Sequence, residues 1–162
     1  EVAERHRKAD KSAPRIELQK GIPPEVRLRL RIGEDDQVIT RHEERYIDDI
    51  PWSLWTSYYP MELVTKGAAK LLVAEDIPEG TVRYLSTVGV HQKSYRDWIT
   101  ARTPDENEQK FFRIAHSATV FEIYRTGFDQ NGEPMRVTVS IYPIDRNQFI
   151  YDGGDPPGPQ YG

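Results

Sequence analysis

Hydrophobic and polar residues alternate through "PMRVTVSIYP", residues 134–143, with Met135, Val137, Val139 and Ile141 on one side and Arg136, Thr138, Ser140 and Tyr142 on the other. This is the pattern of a half-buried strand. Residues 51–60, "PWSLWTSYYP", carry proline, serine, tyrosine and proline at the same spacing. Alternation there sets Trp52, Leu54, Thr56 and Tyr58 against Ser53, Trp55, Ser57 and Tyr59, so Ser57 matches Ser140 and Tyr59 matches Tyr142.

The flanking patterns repeat as well. Before the first copy come a strand-like "PRIELQ", a proline-led helical "PPEVRLRLRI", an extended "QVITRHEERYI" and a turn at "DDIP". Before the second come "YRDWITA", helical "TPDENEQKFFRI", extended "ATVFEIYRTGF" and a turn at "DQNGEP". The helices are read from proline near the first position followed by acidic residues, with Thr103 as the expected N-cap of the second. The turns are read from Asp48, Asp49 and Pro51, and from Asn131 and Gly132, between β-rich runs. A further helix is expected from Thr81 to about Val88, closed by Gly89, in the segment joining the halves. Two strand-helix-strand-strand repeats predict an α+β domain, an antiparallel sheet with helices on one face, whose halves superpose through a pseudo-twofold relation.

Length and composition fit one domain: 162 residues, 37% hydrophobic and 30% charged. Residues 1–13 are charged without apolar periodicity and read as a tether, and residues 152–162 are a Gly/Pro-rich tail, which leaves 14–151 as the ordered domain. With no cysteine, no apolar run of membrane-spanning length and no signal pattern, a soluble cytoplasmic chain without a membrane partner is expected. The net charge of -4 argues against DNA binding by this chain alone.

The polar face of the two repeated strands either meets solvent or floors a cleft. Its composition favours a cleft, because Trp55, Tyr59 and Tyr142 beside Arg136 are the aromatic and polar groups that line small-ligand pockets. Catalytic patterns are weak. His6, His42, His91 and His116 lack paired ligand spacing, there is no phosphate-binding glycine motif or nucleophile elbow, and the acidic cluster Glu43, Glu44, Asp48 and Asp49 fits a solvated turn better than acid-base chemistry. No metal or cofactor is expected.

The stretches "RYIDDIPWSLWTSYYP", "YRDWITARTPDENEQKFF" and "FEIYRTGFDQNGEPMRVTVSIYPIDRNQF" resemble the UTRA domain of GntR-family transcription regulators of the HutC subfamily. The resemblance implies a chorismate-lyase-like fold, a homodimer, and a small-molecule effector whose binding alters operator affinity. It also implies that DNA is contacted only through an N-terminal winged-helix domain, which is absent from this chain, so that residues 1–13 read as a linker remnant. Two pocket residues of the family transfer, Arg45 and Tyr142. Three positions depart from it: Glu43 stands where a second arginine is frequent, and Trp55 and Arg136 stand where carboxylates are frequent. The candidate ligand-binding residues are therefore Arg45, Trp55, Ser57, Tyr95, Arg96, Arg136, Thr138 and Tyr142, with no catalytic residue among them. Trp55 and Arg136 together suggest a small anion with an aromatic or apolar body. The alternative is an enzyme of the chorismate-lyase type, with Arg45 or Arg136 clamping the carboxylate of an aromatic acid. A third reading is a dimerisation module whose pocket is filled by its own side chains.

Overall fold

The computed structural model describes residues 7–155 and 158. Its elements run β1 (Ala9–Lys11), β2 (Arg15–Gln19), α1 (Pro24–Leu30), β3 (Val38–Ile47), β4 (Ile50–Pro60), α2 (Glu62–Thr65), α3 (Thr81–Thr87), β5 (Ser94–Arg102), α4 (Glu106–Phe112), β6 (Val120–Phe128) and β7 (Pro134–Pro143). All seven strands join one antiparallel sheet in the order β1-β3-β4-β7-β6-β5, with β2 also paired to β3. Strand structure thus begins before Pro14, inside the stretch read as a tether. Residues Ala9–Lys11 have no apolar face to announce them and are held by pairing to Arg45–Ile47.

The duplication is visible in the register. Strands β4 and β7 pair from Leu54 opposite Ile141 to Tyr58 opposite Val137, which sets Thr56 directly across from Val139. Those two residues hold the same place in the two copies, so the pseudo-twofold axis passes between them. The hairpins agree in detail, because the β3–β4 register shifts after Arg45 and the β6–β7 register shifts after Gly127, leaving Trp52 and Met135 as matched unpaired residues. The first hairpin turns through Asp48 and Asp49 at positive φ, 52° and 63°, and the second through Gly132 at 75°.

Both repeat helices are seven residues long and stop the same way, on a left-handed arginine, Arg31 and Arg113, each at φ 55°. Helix α1 starts on Pro23-Pro24, where a missing N–H costs nothing. Helix α4 is capped by Asp105 and not by Thr103: the Asp105 carboxylate accepts from the Glu108 amide at 2.8 Å, and Glu108 accepts from the Asp105 amide at 2.9 Å. Thr103 also stands three residues before a glutamate, Glu106, but it is Glu108, held by both terminal nitrogens of Arg102, that returns the bond, and its partner is Asp105.

These helices cover one face of the sheet and exchange halves. Val26 and Leu30 of α1 pack with Val38, Tyr58 and Val137, and Phe112 of α4 packs with Val120, Ile141 and Leu54. On the other face the connection between the halves folds over β3 and β4, burying Leu63, Leu71, Ile77 and Leu85 against Ile39 and Tyr59. Met135 joins that cluster and leaves the company of Val137 and Ile141, since the bulge there breaks the alternation. No helix is long and apolar enough to cross a membrane among the described residues.

One histidine reports on this packing. His42, on β3, is half-buried with Nδ1 2.8 Å from Thr56 Oγ1 on the pseudo-axis. Burial first, then the charge of Arg15, pushes its pKa below the ordinary 6.5, against the pull of Glu44, Glu43 and Glu17. Because the folded pKa is the lower one, the unfolded chain binds the proton more tightly. The contribution of neutral His42 is present above pH 6.5 and is lost as pH falls through its folded value. Urea midpoints measured from pH 7.5 downward are expected to drop with this dependence, and His42→Gln is expected to flatten it.

Candidate functional site

A cleft of about 630 Å³ lies between the sheet and the connection that crosses it. Strands β3, β4 and β7 supply its floor through Arg41, Glu43, Arg45, Trp55, Ser57, Tyr59 and Arg136, and residues 76–93 supply its roof and rim. Alternation explains the floor, because positions 41, 43 and 45 of β3 share a face with positions 55, 57 and 59 of β4.

The roof is tied down by Arg41. Its guanidinium is buried and donates to four backbone carbonyls in succession: Nη1 to Lys70 at 3.2 Å, Leu71 at 2.9 Å and Val73 at 2.9 Å, and Nη2 to Glu75 at 2.7 Å. The segment has one short 3-10 turn, Ala69–Leu72, and is otherwise irregular, so several buried carbonyls need side-chain partners, and one planar five-donor group satisfies them together. Lys11 of β1 adds an ion pair to Asp76, holding that carboxylate's pKa below the usual range, and Lys70 pairs with Glu79 at 3.1 Å.

The remaining floor residues form a chain of contacts. Arg45 lies over Trp55, its guanidinium carbon 3.7 Å from the ring centroid, and donates from Nη2 to Glu43 at 3.2 Å, while its buried Nε has no protein partner among the described residues. Trp55 Nε1 donates to Ser53 Oγ at 3.0 Å, and the hydroxyls of Ser57 and Thr138 meet at 2.9 Å. Arg136 donates from Nε to Gln92 Oε1 at 2.9 Å and reaches Thr138 Oγ1 at 3.4 Å. Both of its partners are neutral. Glu43, the acid best placed in sequence to neutralise Arg136, is engaged by Arg45 instead.

Six cationic side chains line this cleft, Lys11, Arg41, Arg45, Arg83, Lys93 and Arg136, against three carboxylates, Glu43, Asp76 and Glu79. The local excess is three positive charges in a chain whose net charge is -4. Such a concavity attracts anions.

The structure divides the expected site residues. Arg45, Trp55, Ser57 and Arg136 line this cleft. Tyr95, Thr138 and Tyr142 line a neighbouring one of about 410 Å³ above β5, β6 and β7, to which Trp55 and Arg136 also contribute. Arg96 joins neither: it alternates to the helix face, beside Arg29, Trp98 and Phe128. Thr138 and Ser140 are buried, so the polar face of β7 is covered and does not simply meet solvent. Arg41 and Gln92 were not singled out in the sequence. The position of Arg41, two residues ahead of Glu43 on the cleft face, was a usable signal, whereas Gln92 sits in an irregular segment with no pattern around it.

Gln92 reaches Arg136 because Gly127 lies under it. A Cβ at Gly127 would collide with the Gln92 carboxamide and would stand 3.2 Å from Arg136 Cγ. The UTRA domain family matches residues 15–148, nearly the whole of the sheet and its helices. The chain belongs to that family.

Solved structures similar to this chain include GntR-family transcriptional regulators and the effector domain of PhnF. PhnF from Mycobacterium smegmatis aligns with a TM-score of 0.76 at 16% identity, over 92% of this chain and 64% of that one. A GntR-family transcriptional regulator from Bacillus cereus gives 0.74 at 15%, over 91% and 99%. The C-terminal domain of the histidine utilization repressor from Pseudomonas syringae pv. tomato gives 0.71 at 17%, over 92% and 99%. No curated protein matches the chain by sequence. The UTRA domain thus spans under two thirds of the PhnF chain, and what it shares with these structures at such identities is the fold.

The role of Arg41 is testable without a ligand. Arg41→Met keeps an unbranched apolar stem and removes every donor, leaving the carbonyls of Leu71, Val73 and Glu75 without the guanidinium. A loss of about 3 kcal/mol is expected in urea unfolding. Hydrogen exchange is expected to rise first over residues 69–77, before the sheet opens.

Proposed function

We propose that this UTRA domain senses a small anionic effector in the cleft floored by Arg45, Trp55, Ser57 and Arg136, and serves as the regulatory half of a GntR/HutC-type transcription regulator. The observation that carries the reading is the uncompensated charge of that cleft, above all Arg136, whose hydrogen-bond partners are both neutral. A part-buried guanidinium without a carboxylate lacks its strongest partner, and an incoming anion supplies it. The unpartnered Nε of Arg45 points to the same need. The cleft is open at about 630 Å³, the size of an ordinary small-ligand site, which speaks against a pocket filled by its own side chains.

Trp55 favours an effector with an aromatic or apolar body. One of its faces is taken by Arg45, so the tryptophan and the guanidinium bring an aromatic surface and a positive charge together for a ring and its carboxylate. DNA would be bound through a winged-helix domain elsewhere on the regulator, in the cytoplasm, with the effector biasing its operator affinity. No catalytic role is assigned, in keeping with the similarity to regulator domains.

The test is thermal stabilisation by benzoate and 4-hydroxybenzoate compared with sugar phosphates. A ligand at about 100 times its dissociation constant stabilises the fold by about 2.7 kcal/mol, several degrees in a domain of this size. Aromatic carboxylates are expected to raise the melting temperature of the wild type, and Arg45→Ala and Arg136→Ala are expected to abolish the response. Stabilisation by sugar phosphates alone would assign a different effector class. Conversion of chorismate to 4-hydroxybenzoate would instead establish the enzyme.

Dimerisation is proposed through β5. The sheet ends there on a continuous nine-residue edge with Tyr95, Trp98 and Ile99 exposed, while the opposite edge is broken between β1 and β2. A long apolar edge is a template for pairing with a second copy. Sedimentation is expected to give a dimer, and Ile99→Lys, a substitution at an exposed position, a monomer.

A further inference from the structure

The duplication makes two grooves on the helix face, each between a repeat helix and the strands beside it, and the chain fills them differently. Both helices stop on a left-handed arginine, so Arg29 of α1 matches Phe111 of α4, and the shared register shifts match Phe128 with Tyr46. Over the strands of the first repeat, Phe111 and Tyr46 meet edge to face at 5.8 Å. Over those of the second, Arg29 and Phe128 stand in the same places, and a groove of about 410 Å³ opens between α1 and the strands β5 and β6.

Its floor is laid by cross-strand pairs, Arg96 opposite Thr126 and Trp98 opposite Tyr124. Arg29 lies over both rings of the second pair, its guanidinium carbon 5.7 Å from the Trp98 centroid and 4.6 Å from that of Tyr124. Nη1 of Arg29 donates to the Glu25 carboxylate at 2.6 Å and to the Glu25 carbonyl at 3.0 Å, which holds this wall of the groove in place. The indole of Trp98 is nevertheless 57% exposed. Leu28 points away from the core that takes Val26 and Leu30, and at 73% it is the most exposed large apolar side chain among the described residues. Both line the groove.

Charge decides what can cover these apolar groups. Arg29, Arg31 and Arg96 line the groove against one carboxylate, Glu25, which Arg29 already holds. Arg31 reaches Glu133 outside the groove at 3.7 Å, an exposed contact of little strength, and Arg96 has no ion pair among the described residues. Two guanidinium groups thus stand open to carboxylates beside two exposed apolar side chains, on a chain whose net charge is -4. A second copy covering the groove with its own groove about a twofold axis would set these arginines against their counterparts, which repels.

We propose that this groove docks an extended acidic segment of a partner protein, with one bulky apolar side chain seated between Leu28 and Trp98 and flanking carboxylates on Arg31 and Arg96. Carboxylate and guanidinium form paired, charge-assisted hydrogen bonds, and the seated side chain adds the buried area that exposed ion pairs lack. A phosphate backbone fits less well, because it calls for a run of cations and offers Leu28 and Trp98 no apolar side chain. The groove opens on the helix face, away from the effector cleft, so the proposal does not require the effector reading to be correct.

The probe is a short fluorescein-labelled peptide of glutamates around a single phenylalanine, titrated with the protein and followed by fluorescence anisotropy. Saturable binding is expected, weakening as salt rises. Arg96→Glu, at an exposed position, should weaken it about tenfold, whereas Arg113→Glu, the same change of charge on the arginine that matches Arg31, leaves it unchanged. Trp98→Ala and replacement of the peptide's phenylalanine by alanine should each weaken binding about tenfold, and together little more than either alone. Leu28→Ala, at the most exposed position, should act in the same direction. Ile99 points to the opposite face of β5, so binding should persist in Ile99→Lys. Absence of saturable binding would overturn the proposal, as would equal losses in Arg96→Glu and Arg113→Glu, indifference to the phenylalanine, or tighter binding of duplex DNA than of the peptide. Loss of binding in Ile99→Lys would overturn it too, by giving the groove to a second copy.

Discussion

The five-residue ladder between β4 and β7 is the constraint on which the molecule rests. Among the described residues it is the only strand pairing that joins the two repeats, and it crosses its own symmetry axis between Thr56 and Val139. Placing these strands at the centre makes a continuous sheet from a four-stranded piece and a three-stranded one and fixes where the helices go. Helix α1 comes to lie on β7 and α4 near β4, so each half buries its apolar helix face on the other's strand. Neither repeat has a complete core alone, and the interlocked arrangement ties folding of one half to folding of the other.

From that geometry the clefts follow. Two bulged hairpins side by side present a broad floor, and the chain has one long connection with which to cover it. The connection is short of regular structure, so its polar backbone needs partners, and the buried guanidinium of Arg41 provides them. Holding a roof by side-chain donors rather than by a strand or long helix keeps its position fixed and its backbone free to shape a cavity. Over the second repeat there is no such connection, and a few residues anchored by Arg146, Asn147 and Phe149 do the covering.

Much of this was legible in the sequence. The strands announced themselves by alternation, the helices by proline, acidic residues and apolar spacing, and the architecture by the repeated Pro-Ser-Tyr-Pro positions, since duplicated patterning can be satisfied only by duplicated structure. Local signals were less reliable where two residues competed for one role, as Thr103 and Asp105 did, or where a bulge reversed the alternation, as at Met135. The site was harder. Arg45, Trp55, Ser57 and Arg136 share a cleft because they share a face, which periodicity reveals. That Tyr95, Thr138 and Tyr142 lie in a neighbouring cleft follows from side-chain placements such as Gln92 on Arg136 and Arg45 over Trp55, long-range choices that spacing does not encode. Arg96 was separated from Tyr95 by the simplest rule available, the alternation of β5, which a segment chosen by resemblance passes over. The opposition of Asp97 and Arg125 across β5 and β6 becomes readable only once the register of their strands is known.

Fusing the repeats into one polypeptide has a consequence for how such a fold can change. Two identical chains related by a true twofold must carry the same residue at symmetric positions, so a mutation in one wall is imposed on both. In a single chain Arg29 and Phe111, or Phe128 and Tyr46, are encoded separately, and each position can drift without dragging its counterpart along. A scaffold that began symmetric can thereby close one groove with aromatic rings and leave its counterpart open and positively charged.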